Sequence, residues 1–310
     1  MGNIHQWLRD KGRQQSLELG GFNRPELEAA FAYMSDEAGG TGYLYSGWCQ
    51  AALPHKRLPD EEGWQVRSGP ITLIVEPGMR PGPGHKPIPV GVPYGSRARL
   101  ILIYLQSEAI RTKSREIELG SSLRNWLGKM DIAIGGKSVG AVREQADRIT
   151  RCNMTFQIAY GKGVGMIKQS IVEDAMFLEN EECSGALFVN KARLSEKFFA
   201  QLQQHPVPLE EAAIRCLSNN SMGLDLYAWL VYRLHSLSGP TLVPWPSLMA
   251  QFGGGFTQVK HFKPKFLSNL HLALAAYPEA KVVVDDQTNV TLHPSKPPVA
   301  RVHTKSAATR

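Results

Sequence analysis

The chain has 310 residues, a formal net charge of +7, 43% hydrophobic residues and 20% charged residues. This composition is ordinary for a globular protein and excludes a largely disordered chain or a fibrous repeat, while the length suits two domains of about 100–200 residues each. The longest apolar run, Leu100–Leu105, is far shorter than the ~18 residues that a membrane span needs. Met1–Asp10 has no apolar signal-peptide core, so we expect a cytoplasmic protein that does not enter a membrane.

Residues 1–95 are predicted to form N-terminal helices followed by a Pro-rich extended lead-in. Two short amphipathic helices, His5–Glu18 and Arg24–Glu37, precede strand-like runs at Tyr43–Ala52 and Gly69–Glu76. The density of proline between and after these runs excludes a regular helix. We interpret the lead-in as packed on the next unit, without a domain of its own.

Residues 96–190 have the element order of a winged helix: helix, strand, helix, turn, helix and hairpin. The helices are indicated by apolar positions on one helical face, and the hairpin by two β-patterned runs joined by a glycine-rich turn. The predicted helices are Ser96–Lys113, Leu123–Met130 and Ser138–Arg151, the strand is Arg115–Leu119, and the wing consists of Met154–Tyr160 and Met166–Glu173.

Residues 191–293 repeat this order with little sequence identity to the first unit. The duplication predicts an α+β fold with two tandem winged-helix domains, each a helix-turn-helix plus a β-hairpin wing, behind a mixed N-terminal extension. Residues 294–310 have no apolar periodicity and are predicted to form a disordered basic tail. The predicted helices are Leu194–His205, Leu209–Leu217, Leu224–Leu237, Pro246–Phe252 and Lys260–Tyr277, the strand is Thr241–Val243, and the hairpin is Lys281–Val284 with Val290–Leu292.

Positive charge is concentrated in the two predicted units. Residues 97–151 carry 11 Lys and Arg against 6 Asp and Glu, and residues 260–310 carry 8 against 3, so each region has a net charge of +5. The rest of the chain has a net charge of −3, because the whole chain has +7. This segregation favours a phosphate-binding surface, since each neutralised phosphate releases counterions.

The third helix of each unit is expected to enter the DNA major groove, with its first turns facing the base edges. Asn269 or Gln258 could pair with an adenine edge, whereas lysines neutralise phosphates. The wing lysines Lys162 and Lys168 are expected to matter less, because a wing on the backbone reads no bases. A solvated helix face is the alternative for both units. The other predicted DNA-binding residues are Lys260, His261, Lys263, Lys265 and Ser268 in the second unit, and Lys137, Ser138, Ala141, Gln145 and Arg148 in the first.

Motifs for chemistry are weak or missing. Ile134–Ser138 resembles the end of a P-loop, but Asp131 stands where that motif requires a glycine. The four cysteines lie far apart without a CxxC pair. Rolling-circle nicking enzymes have two histidines separated by one bulky apolar residue, and none of the nine histidines has this spacing. No HExxH, GxSxG or paired-carboxylate motif is present. We therefore expect a protein that is not an enzyme and has no catalytic residues, metal site or cofactor.

Two unusual runs carry a resemblance to a known family. The first is Trp48-Cys49-x-x-Ala52-Leu53-Pro54-His55-Lys56-Arg57-Leu58-Pro59, and the second is Gly91-Val92-Pro93-Tyr94-Gly95-Ser96-Arg97-Ala98-Arg99-Leu100, which continues to Ala109. Together with Ser114–Leu123 and Gly135–Ser138, they resemble the plasmid-encoded RepA family of replication initiators, over roughly residues 40–290.

The resemblance implies a protein that binds repeated sites in double-stranded plasmid origin DNA, helps open the duplex, and recruits the host replication initiator and helicase. Related initiators have two winged-helix domains; their monomers commonly initiate and their dimers commonly repress their own promoter, so the resemblance allows a homodimer. Three alternatives stay open: a transcriptional (auto)repressor without a role in initiation, an origin-nicking nuclease, and a protein-interaction scaffold that binds no DNA.

Overall fold

The structure is a computed structural model that describes residues 4–37, 39–119, 121–132, 136–160, 163–169, 171–179, 187–285 and 288–299. Helices and strands are mixed, so the predicted α+β class is confirmed. The helices are α1 (Ile4–Leu19), α2 (Arg24–Met34), α3 (Gly95–Thr112), α4 (Ser121–Lys129), α5 (Gly136–Arg151), α6 (Glu196–Gln204), α7 (Glu211–Leu217), α8 (Ser221–Leu234), α9 (Trp245–Phe252) and α10 (Val259–Ala275). The strands are β1 (Thr41–Tyr45), β2 (Trp64–Ser68), β3 (Ile71–Glu76), β4 (Met79–Arg80), β5 (Ile88–Pro89), β6 (Glu116–Glu118), β7 (Asn153–Tyr160), β8 (Gly163–Gln169), β9 (Val172–Glu179), β10 (Leu187–Leu194), β11 (Pro206–Glu210), β12 (Thr241–Pro244), β13 (Lys281–Asp285) and β14 (Asn289–His293).

The second unit follows the predicted order, with α8, β12, α9, α10 and the hairpin β13–β14. Its three strands form an antiparallel sheet in the order β12-β14-β13. Val290 and Leu292 of β14 are fully buried because alternate residues of the strand face the helices. Two elements differ from the prediction: residues 206–210 form β11, which pairs with β1, so that α7 begins only at Glu211, and α8 spans Ser221–Leu234 where Leu224–Leu237 was predicted.

The hairpin predicted after α5 is present, because β7 pairs antiparallel with β8, but it does not belong to the sheet that contains β6. The strand β6 pairs with β10, which pairs with β9, so the first unit has a sheet of the same form, β6-β10-β9. The predicted wing strands, now β7 and β8, instead continue the sheet β2-β3-β7-β8. The reason is the apolar face of β3, because Leu73 and Val75 lie opposite Phe156 and Met154 and all four are buried.

The N-terminal helices pack on the second unit. A small apolar cluster joins Ile4 and Leu8 of α1 to Leu27 of α2 and Ala275 of α10. Two polar contacts support this docking: His5 Nε2 lies 2.8 Å from the carbonyl oxygen of Ala275, and His271 Nδ1 lies 3.0 Å from a carboxylate oxygen of Glu26. The N-terminal extension therefore contacts both units: α1 and α2 pack on α10 of the second unit, and β3 pairs with β7 of the first.

One apolar core continues from the first unit into the second, and α3 packs against α8 at its centre. A buried ion pair links these helices: Arg99 Nε and Nη2 each donate to a carboxylate oxygen of Asp225 at 2.7 Å. Arg99 also donates to the carbonyl oxygens of Leu53 and Pro54. The lead-in is thereby fixed at the junction of the two units.

The last described residues are held against the second unit. The amide of Ser295 donates to the carbonyl oxygen of Leu234 at 3.1 Å, and the Tyr277 hydroxyl donates to the carbonyl oxygen of Lys296 at 2.8 Å. These contacts lie inside the predicted tail, whose residues 300–310 are outside the described residues. In the part of the chain that the structure describes, no helix has the length and apolar character to cross a membrane.

Candidate nucleic-acid interface

Helix α10 has one buried and one exposed face. Phe262, Phe266 and Leu270 are fully buried and recur every four residues, as an apolar helix face requires. The opposite face is exposed over the first three turns of the helix. Four of its exposed residues are predicted DNA-binding residues. The exposed residues, which we call the α10 stripe, are Lys260, His261, Pro264, Lys265 and Ser268.

The lysines of α10 are available for phosphate. Among the described residues, none of Lys260, Lys263 and Lys265 has a carboxylate within ion-pair distance. Lys263 is half-buried, and its Nζ lies 4.8 Å from the centre of the Trp245 ring, which holds this ammonium at the side of the stripe. The stripe contains no acidic side chain, so the positive potential at this face is not cancelled locally.

Asn269 does not lie in this exposed stripe, contrary to the prediction. Its side chain is buried, and Nδ2 donates to the carbonyl oxygen of Lys265 at 2.6 Å. One residue after Ser268, the helix has turned by about 100°, which brings Asn269 onto the inner face. Gln258, the other predicted adenine partner, is exposed and precedes the first turn of α10.

In the first unit, two predicted DNA-binding residues of α5 are structural. Gln145 is buried and its Oε1 accepts the amide of Tyr94 at 2.8 Å. Arg148 is 2% exposed, donates to the carbonyl oxygen of Val92 at 3.0 Å and forms an ion pair with Asp60 at 3.0 Å. Both side chains hold the lead-in against α5 and are buried in the structure.

The remaining predicted residues of the first unit are near the start of α5 or on β8. Ser138 and Ala141 are half-buried, and the Ser138 hydroxyl is buried without a hydrogen-bond partner among the described residues. Lys137 is in α5 and Lys168 is in β8 opposite Thr155, but their side chains are outside the described part. Lys162 is itself outside the described residues. Because β8 does not pair with β6, Lys168 is not on the wing of the first unit.

Much of the positive charge of residues 97–151 is neutralised within the fold. The two units therefore differ in electrostatics, although the sequence gives both a net charge of +5. Acidic side chains, Glu144 and Asp147, also lie half-exposed on α5 itself. The ion pairs in this region are Arg99–Asp225, Arg111–Glu108, Arg115–Glu173, Arg148–Asp60, Arg148–Glu144 and Arg151–Asp147.

The lead-in run that carried the family resemblance lies between α5 and α8, a position that the sequence did not reveal. On one side, Arg57 Nη1 lies 3.8 Å from a carboxylate oxygen of Glu144 in α5. On the other, His55 Nδ1 lies 3.0 Å from the Ser221 hydroxyl of α8, and burial together with the charge of Arg99 lowers the pKa of His55 to about 4, against the opposing effect of Asp225. Lys56, between His55 and Arg57, is exposed.

The turn before α10 depends on a glycine. A Cβ at Gly254 would lie 2.3 Å from the Trp64 ring, closer than any real contact. Trp64 is itself fixed, because its Nε1 donates to the carbonyl oxygen of Ala52 at 2.8 Å. The close approach of Trp64 thus fixes the turn between α9 and α10 against the lead-in.

These features define an α+β protein with a duplicated unit of helices and a three-stranded sheet, and with a basic helix face in the second unit. Residues 92–241 match the family model described as plasmid encoded RepA protein. The match confirms the predicted resemblance, and through this segment the chain is related to the plasmid-encoded RepA family. The curated proteins contain no match to the chain.

Solved structures show a similar fold. The crystal structure of selenomethionine derivatives of domains 2 and 3 of RctB has a TM-score of 0.51 and 11% identity, and the alignment covers 80% of this chain and 98% of that one. A second structure of RctB domains 2–3 has a TM-score of 0.46 and 11% identity, with 81% and 97% covered. At 11% identity, the first similarity supports the fold alone.

Proposed function

We propose that the protein is a plasmid replication initiator that binds double-stranded origin DNA, with the exposed stripe of α10 as its principal major-groove surface. The match to the plasmid-encoded RepA family supports the role, and the unpaired lysines on one face of α10 carry the DNA-binding proposal. Lysines at such positions neutralise phosphates, whereas His261, Ser268 and Gln258 have the groups to read base edges.

Both units are winged helices in this proposal. The order of helices and the matching sheets β6-β10-β9 and β12-β14-β13 support it, with β9–β10 and β13–β14 as the wings. The first unit contacts DNA through the start of α5 only, because the rest of that helix holds the lead-in. Because the two units belong to one chain, binding of one unit to DNA raises the effective concentration of the other unit at its own site.

The further steps follow the family. The protein acts in the cytoplasm without catalysis of its own, helps open the origin duplex, and recruits the host replication initiator and helicase. Footprinting on DNA that flanks its own gene separates the main alternatives. A ladder of protected repeats supports an initiator; a single protected palindrome, with no replication of an origin plasmid when the protein is supplied in trans, favours a repressor. Metal-dependent nicking of supercoiled origin DNA would instead favour the nuclease.

The variant Lys260→Ala/Lys265→Ala tests the α10 stripe. We expect weaker binding to all sequences and a salt dependence flatter by about one unit for each lost phosphate contact. The matched control is Lys86→Ala/Lys197→Ala, which removes the same charge from two exposed lysines elsewhere. Fluorescence anisotropy titrations over a salt series measure both quantities. Equal salt slopes for the two double variants would contradict the assignment of α10.

A further inference from the structure

Trp245 lies where three elements of the second unit meet. It is the first residue of α9, it is 3% exposed, and its ring packs edge-to-face against Phe266 of α10 with the ring centroids 5.6 Å apart. Its Nε1 donates to the carbonyl oxygen of Asp285, the last residue of β13, at 3.3 Å. The ammonium of Lys263 lies 4.8 Å from the centre of the same ring. One side chain of α9 therefore contacts both α10 and the hairpin β13–β14.

The pairing of the strands brings Trp245 to this position. Pro244, the last residue of β12, pairs with Asn289 at the start of β14, and Asn289 also pairs with Asp285 across the hairpin. Pro244 and Pro246 lie on either side of Trp245 and restrict the backbone where the strand passes into the helix, because proline fixes φ near −65° and is favoured in the first turn. The indole N–H therefore reaches the hairpin from a backbone with little freedom to move.

An aromatic ring holds an ammonium in a way that suits a phosphate contact. A carboxylate at this place would neutralise Lys263, whereas the face of the Trp245 ring attracts the ammonium and leaves its positive charge in place. An ammonium has three N–H donors, and a ring on one side leaves donors for another partner. Because a lysine side chain loses much rotamer freedom when it binds, a lysine that is already held loses less on contact with DNA.

The corresponding position of the first unit is occupied by a serine. There α4 takes the place of α9 and begins with Ser121, whose hydroxyl donates to a carboxylate oxygen of Glu118 in β6 at 3.0 Å. A hydroxyl has no aromatic face to hold an ammonium. The tryptophan thus occurs in the unit whose basic helix face is exposed, and the serine in the unit whose helix α5 holds the lead-in.

We propose that Trp245 is a positioning residue for DNA, which holds the Lys263 ammonium ready for a backbone phosphate and ties the β13–β14 wing to the same point. Helix α10 and the wing then reach the DNA backbone as one surface. This inference rests on the proposed function, because it names what holds the DNA surface of the second unit together. Trp245 is buried and acts through its neighbours. Loss of its ring is therefore felt through Lys263, and loss of its N–H through the wing.

A double-mutant cycle between Trp245 and Lys263 tests the role of the ring. In the full-length wild type, we expect Lys263→Ala to weaken DNA binding several-fold and to lower the salt slope by about one unit. In the Trp245→Leu background the same substitution has a much smaller effect on both quantities. Trp229→Leu is the matched control, because Trp229 is buried in the same core against Phe252, and it leaves the effect of Lys263→Ala unchanged. Anisotropy titrations over a salt series, corrected for the folded fraction, measure these effects.

Trp245→Phe tests the tie to the wing, because it keeps an aromatic ring and removes the N–H that binds Asp285. The effect of Lys263→Ala is expected to stay at its wild-type size, while amide hydrogen exchange of the β13–β14 hairpin accelerates in the protein without DNA. Equal effects of Lys263→Ala in all backgrounds, or unchanged hairpin exchange in Trp245→Phe, would overturn the role of Trp245 alone. A wild type without salt-dependent DNA binding would overturn the proposed function as well, so the two failures are distinguishable.

Discussion

At the scale of single residues, two arginines that read as part of a basic surface, Arg99 and Arg148, are buried and join separate segments of the chain. Arg99 satisfies its guanidinium with Asp225 and with main-chain carbonyls of the lead-in, and Arg148 does the same with Asp60, Glu144 and the Val92 carbonyl. A guanidinium presents five donors in a fixed fork, so one buried arginine can join three separate segments. The net charge of a segment therefore overstates what its surface offers to DNA.

The buried Arg99–Asp225 ion pair is expected to contribute much more to the free energy of unfolding than an exposed ion pair does. Asp225→Ala leaves Arg99 charged and buried without its carboxylate, which is expected to lower the free energy of unfolding by about 3–5 kcal/mol. Arg111→Ala, in the exposed pair with Glu108, is expected to cost less than about 1 kcal/mol. Urea unfolding followed by tryptophan fluorescence measures both values. Similar losses in the two variants would show that the junction is not held by Arg99.

At the scale of elements, α5 and α10 occupy equivalent places but have different tasks. Helix α10 uses its buried face for aromatic packing and keeps its other face for lysines. Helix α5 uses Gln145 and Arg148 to hold the lead-in, and its neighbouring carboxylates reduce its attraction for phosphate. A shared element order therefore does not give the two helices the same exposed charge.

Gln145→Ala separates these roles. The substitution leaves the buried amide of Tyr94 without its acceptor, which is expected to cost about 1–3 kcal/mol of stability. DNA affinity, corrected for the folded fraction, is expected to equal that of the wild type at low temperature. Thermal unfolding and anisotropy titrations measure the two effects. A loss of affinity with unchanged stability would return Gln145 to the DNA surface.

At the scale of the whole molecule, two apolar clusters of very different size hold the chain together. The main core runs through both units, whereas α1 and α2 are fixed by a small separate cluster and by the contacts of His5 and Glu26. Segments with few buried apolar contacts open at a lower free energy than the global unfolding. We expect the N-terminal helices to be the first part of the chain to open.

Hydrogen exchange checks this order. Amides of α1 and α2 are expected to exchange by local opening, well before those of α3 and α8, which exchange only with global unfolding. Leu27→Ala removes a buried side chain from the small cluster and accelerates exchange in α1 and α2 alone. Leu230→Ala, in the main core, accelerates exchange in α3 and α8. Uniform protection of all four helices would contradict two separate clusters.

The sequence by itself determined the features that depend on neighbouring residues. Apolar spacing located α3, α8 and α10, and the motifs around His55 and Arg99 indicated the RepA family. These signals are local, because a helical face repeats every three to four residues.

Only the tertiary structure decided which strands pair and which polar side chains are buried. Strands β7 and β8 have the pattern of a wing, but β3, distant in sequence, pairs with β7, and β8 pairs with the other side of β7. Gln145, Arg148 and Asn269 are polar residues in helices, and nothing in their spacing distinguishes them from Lys260 or Lys265. Their partners are the Tyr94 amide, Asp60 with the Val92 carbonyl, and the Lys265 carbonyl. Except for the last, these partners lie far along the chain, so no local pattern shows that the exposed basic surface lies on α10 and not on α5.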